Sequence, residues 1–191
     1  MKHILFDTDG VVVHSDMWSQ EYSRRTGITT DIMIPFFRWV FQDCLVWKSD
    51  LKESLAPFLW EWWWTKSTQE YLDAWFAYEN NIDKKLIEKI RQYRWSGIQC
   101  HVATNQEKYR LAYLRNEMWF SREFDSVFCS AEIGYKKPAS EFYTHILDVL
   151  EIQDPNDIVY FDDAEENIEA AKKLWINAIL YKTIDDLVLS N

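Results

Sequence analysis

Along the chain, short apolar runs of strand length alternate with longer segments whose apolar positions recur at helical spacing. Residues 3–7 (HILFD), 98–104 (IQCHVAT), 126–130 (SVFCS), 157–162 (DIVYFD) and 176–181 (INAILY) read as strands. Amphipathic stretches over roughly 83–95, 107–118, 139–150 and 164–174 read as helices. Strands separated by helices make βαβ units, which build a parallel sheet covered on both faces. The predicted fold class is therefore α/β. In such sheets ligands collect beyond the C-terminal strand ends, near a topological switch point.

One region breaks the alternation. Between the first strand and the helix near 83 lie about seventy residues without a strand pattern, far too many for a structureless loop in a compact domain. Helical spacing fits Phe36, Trp39 and Val40, and again Tyr71, Leu72, Trp75 and Phe76. Residues 14–80 therefore read as a helical cap over the strand ends, and residues 1–13 and 81–191 as the core. The segment LWEWWWTK reads chiefly as cap packing. Neighbours on a helix differ by about 100°, so Trp62, Trp63 and Trp64 cannot all face inward.

Composition narrows the classes of function. A hydrophobic share of 48% in 191 residues supports a full core, and no stretch is low in complexity. A formal net charge of -10 argues against nucleic acid as a partner, because a phosphate backbone needs a basic face. No window reaches the ~20 apolar residues of a membrane helix, and the N-terminal apolar run, interrupted by Asp7, is too short for a signal peptide. Cys44, Cys100 and Cys129 are odd in number and far apart, which suits buried, reduced thiols and a cytoplasmic protein. Exposed tryptophan leaves a homodimer open.

The chemistry gathers at the strand ends. The first strand closes on Asp7 and Asp9, two carboxylates near enough to need a positive partner or a shared proton. The second closes on Thr104 and Asn105, and the fourth on Asp162 and Asp163. The loop after the third carries Lys136-Lys137-Pro138. In a parallel sheet these groups converge on one edge. Carboxylates, a lysine and a threonine together suit phosphoryl transfer with Mg²⁺, a hard cation that takes oxygen ligands.

Four segments, FDTDGV, VATNQ, GYKKP and YFDDAEENIEAAKKL, resemble in order the four motifs of the haloacid dehalogenase-like hydrolases, in the branch with a helical cap. The resemblance implies a Rossmann-like three-layer core and an Mg²⁺-dependent phosphatase acting on a small phosphate monoester, such as a sugar phosphate or nucleotide. It makes Asp7 the nucleophile that forms an aspartyl-phosphate, and Asp9 the general acid and base whose backbone carbonyl faces the metal. Thr104, with Asn105 nearby, would bind phosphoryl oxygens, and Lys137 would neutralise charge between Asp7 and the phosphate. Asp163 would hold Mg²⁺, with Asp7, Asp9 and Asp162 in or near its shell. An acid at position 9 points to phosphate esters, since the dehalogenases that give the family its name lack one there. A sugar phosphomutase on the same core, and a non-catalytic module that binds a phosphorylated ligand or a protein, are the alternatives.

Some positions depart from the family pattern. Motif three continues KPAS, and Ser140 is a candidate cap for the following helix. Asp163 is expected to open the last long helix. Trp119 and Trp175 stand where relatives often have a glycine that ends a helix in a positive-φ conformation. Either those helices end differently or strain is tolerated there. His14, just past motif one, reads as a polar hinge residue, and Lys136 rivals Lys137 for the same role.

Overall fold

A computed structural model describes residues 2–187. Its centre is a five-stranded sheet of β1 (His3–Phe6), β2 (Gln99–Thr104), β3 (Ser126–Cys129), β4 (Ile158–Asp162) and β5 (Asn177–Leu180), in the order β3-β2-β1-β4-β5. Every pairing is parallel; β1 lies between β2 (Phe6↔Val102) and β4 (Phe6↔Phe161). The chain leaves β1 on one side toward β2 and β3 and returns on the other toward β4 and β5. That places the switch point at the end of β1, where Asp7 stands.

The central strands read as continuous apolar runs because both faces of the sheet are covered. Between β1 and β2 the helices are α1 (Trp18–Thr26), α2 (Thr30–Pro35), α3 (Phe41–Cys44), α4 (Leu51–Glu61), α5 (Thr68–Tyr78) and α6 (Lys84–Trp95). The remainder are α7 (Lys108–Asn116), α8 (Phe120–Glu123), α9 (Ser130–Ile133), α10 (Ser140–Val149) and α11 (Glu165–Lys172). One face of the sheet buries Ile4, Phe6 and Val102 against Leu86, Ile90, Leu114 and Phe120 of α6, α7 and α8. The other buries Leu5, Ala103 and Tyr160 against Phe142, Ile146 and Ile168 of α10 and α11. The three-layer α/β architecture expected from the sequence is present.

Helices α1 to α5 close on a hydrophobic cluster of their own. Trp18, Tyr22, Phe36, Leu55, Trp62, Tyr71 and Trp75 are buried there in a mesh of tilted and edge-on rings. Asp50 starts α4 by accepting the Lys52 and Glu53 N–H groups, and Ser67 with Glu70 forms a capping box at α5. The chain enters and leaves this insertion through paired backbone. The His14 N–H donates to the Asn81 carbonyl at 2.9 Å, and the Asp83 N–H to that of Val12 at 2.9 Å. The three consecutive tryptophans do not share a helix as expected, because α4 ends at Glu61; Trp62 is fully buried at its end and Trp63, in a left-handed turn, is 69% exposed. The three cysteines are free and buried.

Two helix starts differ from expectation. Helix α11 begins at Glu165, not at Asp163. The Asp162 carboxylate accepts the Ala164 N–H at 2.8 Å and spaces the turn, which leaves Asp163 ahead of the helix and exposed. Helix α10 follows Ala139 without a side-chain cap, so Ser140 is its first residue and does not cap it. Trp119 and Trp175 do adopt positive φ, at 65° and 63°.

His101 lies in β2, 1% exposed, with its Nε2 3.2 Å from His3 Nδ1. Burial disfavours the imidazolium and lowers its pKa to about 4, against an ordinary 6.5. Below pH 6.5 the unfolded chain binds this proton and the folded chain does not. The stabilisation, on the order of 3 kcal/mol, is therefore complete above pH 6.5 and lost as the pH falls to about 4. Urea midpoints should drop steeply between pH 6.5 and 4.5. His101→Phe should flatten that slope; an unchanged slope would assign it to other groups.

Candidate active site

Lys137 is the hinge of the site. It leaves the loop after α9 and is 3% exposed. Its Nζ donates to Asp7 Oδ1 and to Asp162 Oδ2, each at 2.7 Å. Burial favours neutral lysine, but the two carboxylates outweigh it and hold the pKa above the ordinary value. The neighbouring Lys136 instead reaches Gln42 on α3, which separates the two lysines that the sequence leaves as rivals.

Each partner of Lys137 is itself held. Asp7 Oδ1 also accepts the Thr8 N–H at 2.6 Å, and its other oxygen meets no protein donor among the described residues. Asp162 is fully buried and its oxygens are crowded. They accept from Lys137, the Tyr160 hydroxyl, the Ala164 N–H and the Asn167 amide. Burial alone would raise the Asp162 pKa, but Lys137 and these donors hold it below the carboxylate range. Tyr160 and Asp162 are two apart on β4 and so point to the same face.

Asn105 lies just beyond β2 and is locked to the lysine loop. Its amide donates to the Lys137 carbonyl at 2.9 Å, and its carbonyl accepts the Lys137 N–H at 2.8 Å. In this arrangement the Asn105 side chain positions Lys137. Thr104, 1% exposed, closes β2 one strand over from Asp7.

The carboxylates exceed the cations. Oxygens of Asp7, Asp162 and Asp163 lie within 4.8 Å of one another, and Asp9 is two residues from Asp7. Burial pushes Asp7 up to about 8, with Lys137 opposing. Enclosure also raises Asp9 and Asp163. One ammonium faces four carboxylates, and a divalent cation would balance more of that charge. The donors fit Mg²⁺, which takes hard oxygens from one or two carboxylates and leaves places for water and phosphate. Asp7 and Asp163 have oxygens to offer; those of Asp162 are already engaged. The Asp9 carboxylate is outside this cluster, bonded by Gln106 and lining a cavity, and the resemblance implies a metal-facing role for its backbone carbonyl.

Gly10 makes room for Asp163. It has φ 80°, and a Cβ there would fall 2.1 Å from Asp163 Oδ2. Both the left-handed turn and the close carboxylate demand glycine.

Sequence reasoning missed two residues. Gln106 Nε2 donates to Asp9 Oδ2 at 2.6 Å and fixes the orientation of that carboxylate. Its place beside Thr104 and Asn105 in VATNQ was the available signal. Arg110, 2% exposed on α7, donates to the Phe76 and Glu79 carbonyls, each at 2.9 Å, and brings a positive charge toward Asp9. It has no motif to mark it, because its partners lie over thirty residues away. Above Asp9 a cavity of about 260 Å³ opens between sheet edge and insertion. Phe37, Phe41, Trp75 and Met17 line it on the insertion side, with Glu79 among them.

Comparison with known proteins gives the family. The family model for haloacid dehalogenase-like hydrolase matches residues 1–174. A sesquiterpene phosphatase, astK, from Aspergillus oryzae is 29% identical over 90 residues, covering 47% of this chain and 45% of its own. The bifunctional epoxide hydrolase 2 of Rattus norvegicus is 25% identical over 108 residues, 53% of this chain and 19% of that protein. The matches to these curated relatives thus span less than half of their length. Among solved structures, a HAD family enzyme from Bacteroides thetaiotaomicron superposes with a TM-score of 0.83 at 18% identity, covering 98% of this chain and 96% of the other. A complex of that enzyme with magnesium and inorganic phosphate gives 0.80, also at 18% identity, over 95% and 94%. The L-2-haloacid dehalogenase of Xanthobacter autotrophicus gives 0.66 at 14% identity, over 93% and 76%. The family model spans almost all of the chain and the fold is shared throughout: this protein belongs to the haloacid dehalogenase-like hydrolases.

Proposed function

We propose that this hydrolase is an Mg²⁺-dependent phosphatase that cleaves a small phosphate monoester through an aspartyl-phosphate on Asp7. The observation that carries the reading is the buried Lys137 ammonium clamped between Asp7 and Asp162, with an unengaged Asp7 oxygen beside it and an acid two residues on. Asp7 and Asp163 would hold Mg²⁺, which supplies positive charge to the phosphoryl oxygens.

The chain's own groups divide the work. The Asp7 oxygen without a protein donor attacks phosphorus as the ester oxygen leaves, and the other, held by Lys137 and the Thr8 N–H, would be the one that faces Mg²⁺. Asp9, held by Gln106, donates its proton to the departing alkoxide. The raised Asp9 pKa favours the protonated form that this step needs. Lys137 and Thr104 meet charge on the transferring group. Asp9, now ionised, takes a proton from water, whose oxygen attacks the acyl phosphate and frees Asp7 and inorganic phosphate. Asp9 also favours esters over halides, because a halide leaving group needs no proton.

The helical insertion acts as a cap in this reading. A cavity of about 260 Å³ lies near the low end of ligand pockets, roughly 300 Å³. With Phe37, Phe41 and Trp75 on its wall, it favours a compact, largely apolar alcohol over a nucleoside or sugar. The similarity to a sesquiterpene phosphatase supports both the phosphatase chemistry and an apolar leaving group.

Phosphate release from a panel of esters tests the proposal. Chelator and Asp7→Asn should each lower kcat by at least roughly 10³-fold; full turnover in either condition would refute the mechanism. Small alkyl or aryl monophosphates should exceed nucleotides in kcat/KM by about tenfold or more. Gly10→Ala displaces the Asp163 carboxylate, and the Mg²⁺ concentration for half-maximal activity should rise about tenfold. Gln106→Leu should slow alkyl esters about tenfold and leave p-nitrophenyl phosphate, whose leaving group needs no acid, nearly unchanged. Equal slowing of both substrates would mean that Gln106 acts other than through Asp9.

A further inference from the structure

Tryptophan stands repeatedly where the backbone asks for glycine. Among the described residues, five other than glycine have positive φ: Trp47 (55°), Trp63 (57°), Trp119 (65°), Trp175 (63°) and Glu151 (53°). Tryptophan is eleven residues of 191, yet it supplies four of these five. Asparagine and aspartate, the residues other than glycine that tolerate this region best, supply none.

Three of the four sit in helix-ending turns of one kind. The N–H of the residue after each tryptophan reaches the carbonyl five positions back: Lys48 to Asp43 (2.9 Å), Trp64 to Leu59 (2.9 Å) and Ile176 to Ala171 (3.3 Å). That is the bond of a Schellman turn, whose left-handed position is most often glycine. Gly97 does the same at the end of α6, where Ile98 bonds to Tyr93 at 3.1 Å. Trp119 occupies the left-handed link between α7 and α8.

Packing does not compensate for the strain. The four side chains are 57%, 69%, 55% and 79% exposed in chain order. Lys108 lies over Trp47 and Arg122 over Trp119, both at the surface. Trp18, Trp62 and Trp75 behave differently. They are at most 8% exposed, form the centre of the insertion, and have ordinary helical surroundings. Backbone and burial thus set two groups of tryptophan apart, and the other four, Trp39, Trp60, Trp64 and Trp95, belong to neither. Glycine is correspondingly scarce, at four residues where its usual share of about 7% would give roughly 13.

We infer that positions 47, 63, 119 and 175 are glycine in the protein as its source cell makes it, the codon UGA being read there as glycine. UGA is the codon at which the two readings meet: different genetic codes assign it to termination, tryptophan or glycine. The buried tryptophans would then be encoded by UGG. None of the four positions lines the cavity above Asp9, so the chemistry of the site is the same with either residue.

Peptide mass spectrometry on the protein purified from its source cells decides the matter. The inference expects glycine at 47, 63, 119 and 175, and tryptophan at 18, 62 and 75. Tryptophan at the four exposed positions would overturn it. Recombinant protein gives a second, independent reading. The quadruple variant Trp47→Gly, Trp63→Gly, Trp119→Gly, Trp175→Gly should melt at a higher temperature than the tryptophan form, whereas Trp62→Gly should melt lower. A quadruple variant that melts at the same or a lower temperature would contradict the claim that these backbones are built for glycine.

Discussion

A buried ammonium needs anions around it, and the way Lys137 obtains them fixes most of the sheet's functional edge. Asp7 comes from the end of β1 and Asp162 from the end of β4, adjacent strands in the sheet. Asn105, beyond β2, grips the backbone of Lys137 itself. Removing any one of these would leave a desolvated charge or a broken loop clamp, the kind of loss that costs several kcal/mol, on the order of 3–5, for a buried ion pair. Parallel topology therefore does more than bring residues near one another. It lets one lysine join segments more than a hundred residues apart.

The same cluster is what would hold a cation. Lys137 offsets one carboxylate, while Asp7, Asp9, Asp162 and Asp163 crowd the edge. Burial is the main cause of the rise of Asp7 to about 8, and the neighbouring Asp162 and Asp9 add to it. Asp162 escapes it through the donors that surround it. The carboxylates thus separate by environment into a fully engaged support, Asp162, and groups whose charge awaits a partner. The insertion is tied to this edge from the core side. Arg110 holds two of its carbonyls. Lys108 and Tyr109 bind Asp50 against the opposing effect of burial, so that its pKa falls to about 2.

Much of this was legible in the sequence. Strand and helix alternation gave the α/β class and the five strands to within a residue or two, because apolar runs in a doubly covered sheet carry no mixed signal. Polar residues at strand ends marked Asp7, Asp9, Thr104, Lys137, Asp162 and Asp163. Adjacency in sequence could not separate Lys136 from Lys137; burial and direction did. The start of α11 was misplaced because a carboxylate ahead of a helix can bond to its first turn from more than one position. Gln106 and Arg110 act through contacts distant in the chain, and no local pattern encodes such contacts. Within the insertion, the ring mesh depends on tertiary packing among helices whose order along the chain says little about who meets whom.

The proposed function rests on an oxygen of Asp7 bonding to phosphorus during turnover. The most direct measurement is an acid quench of the enzyme during steady turnover of a ³²P-labelled monoester with Mg²⁺, followed by peptide mapping. Label is expected on the peptide that contains Asp7, lost on treatment with hydroxylamine as for any acyl phosphate. Turnover with no covalent label, or with label on another residue, would contradict it.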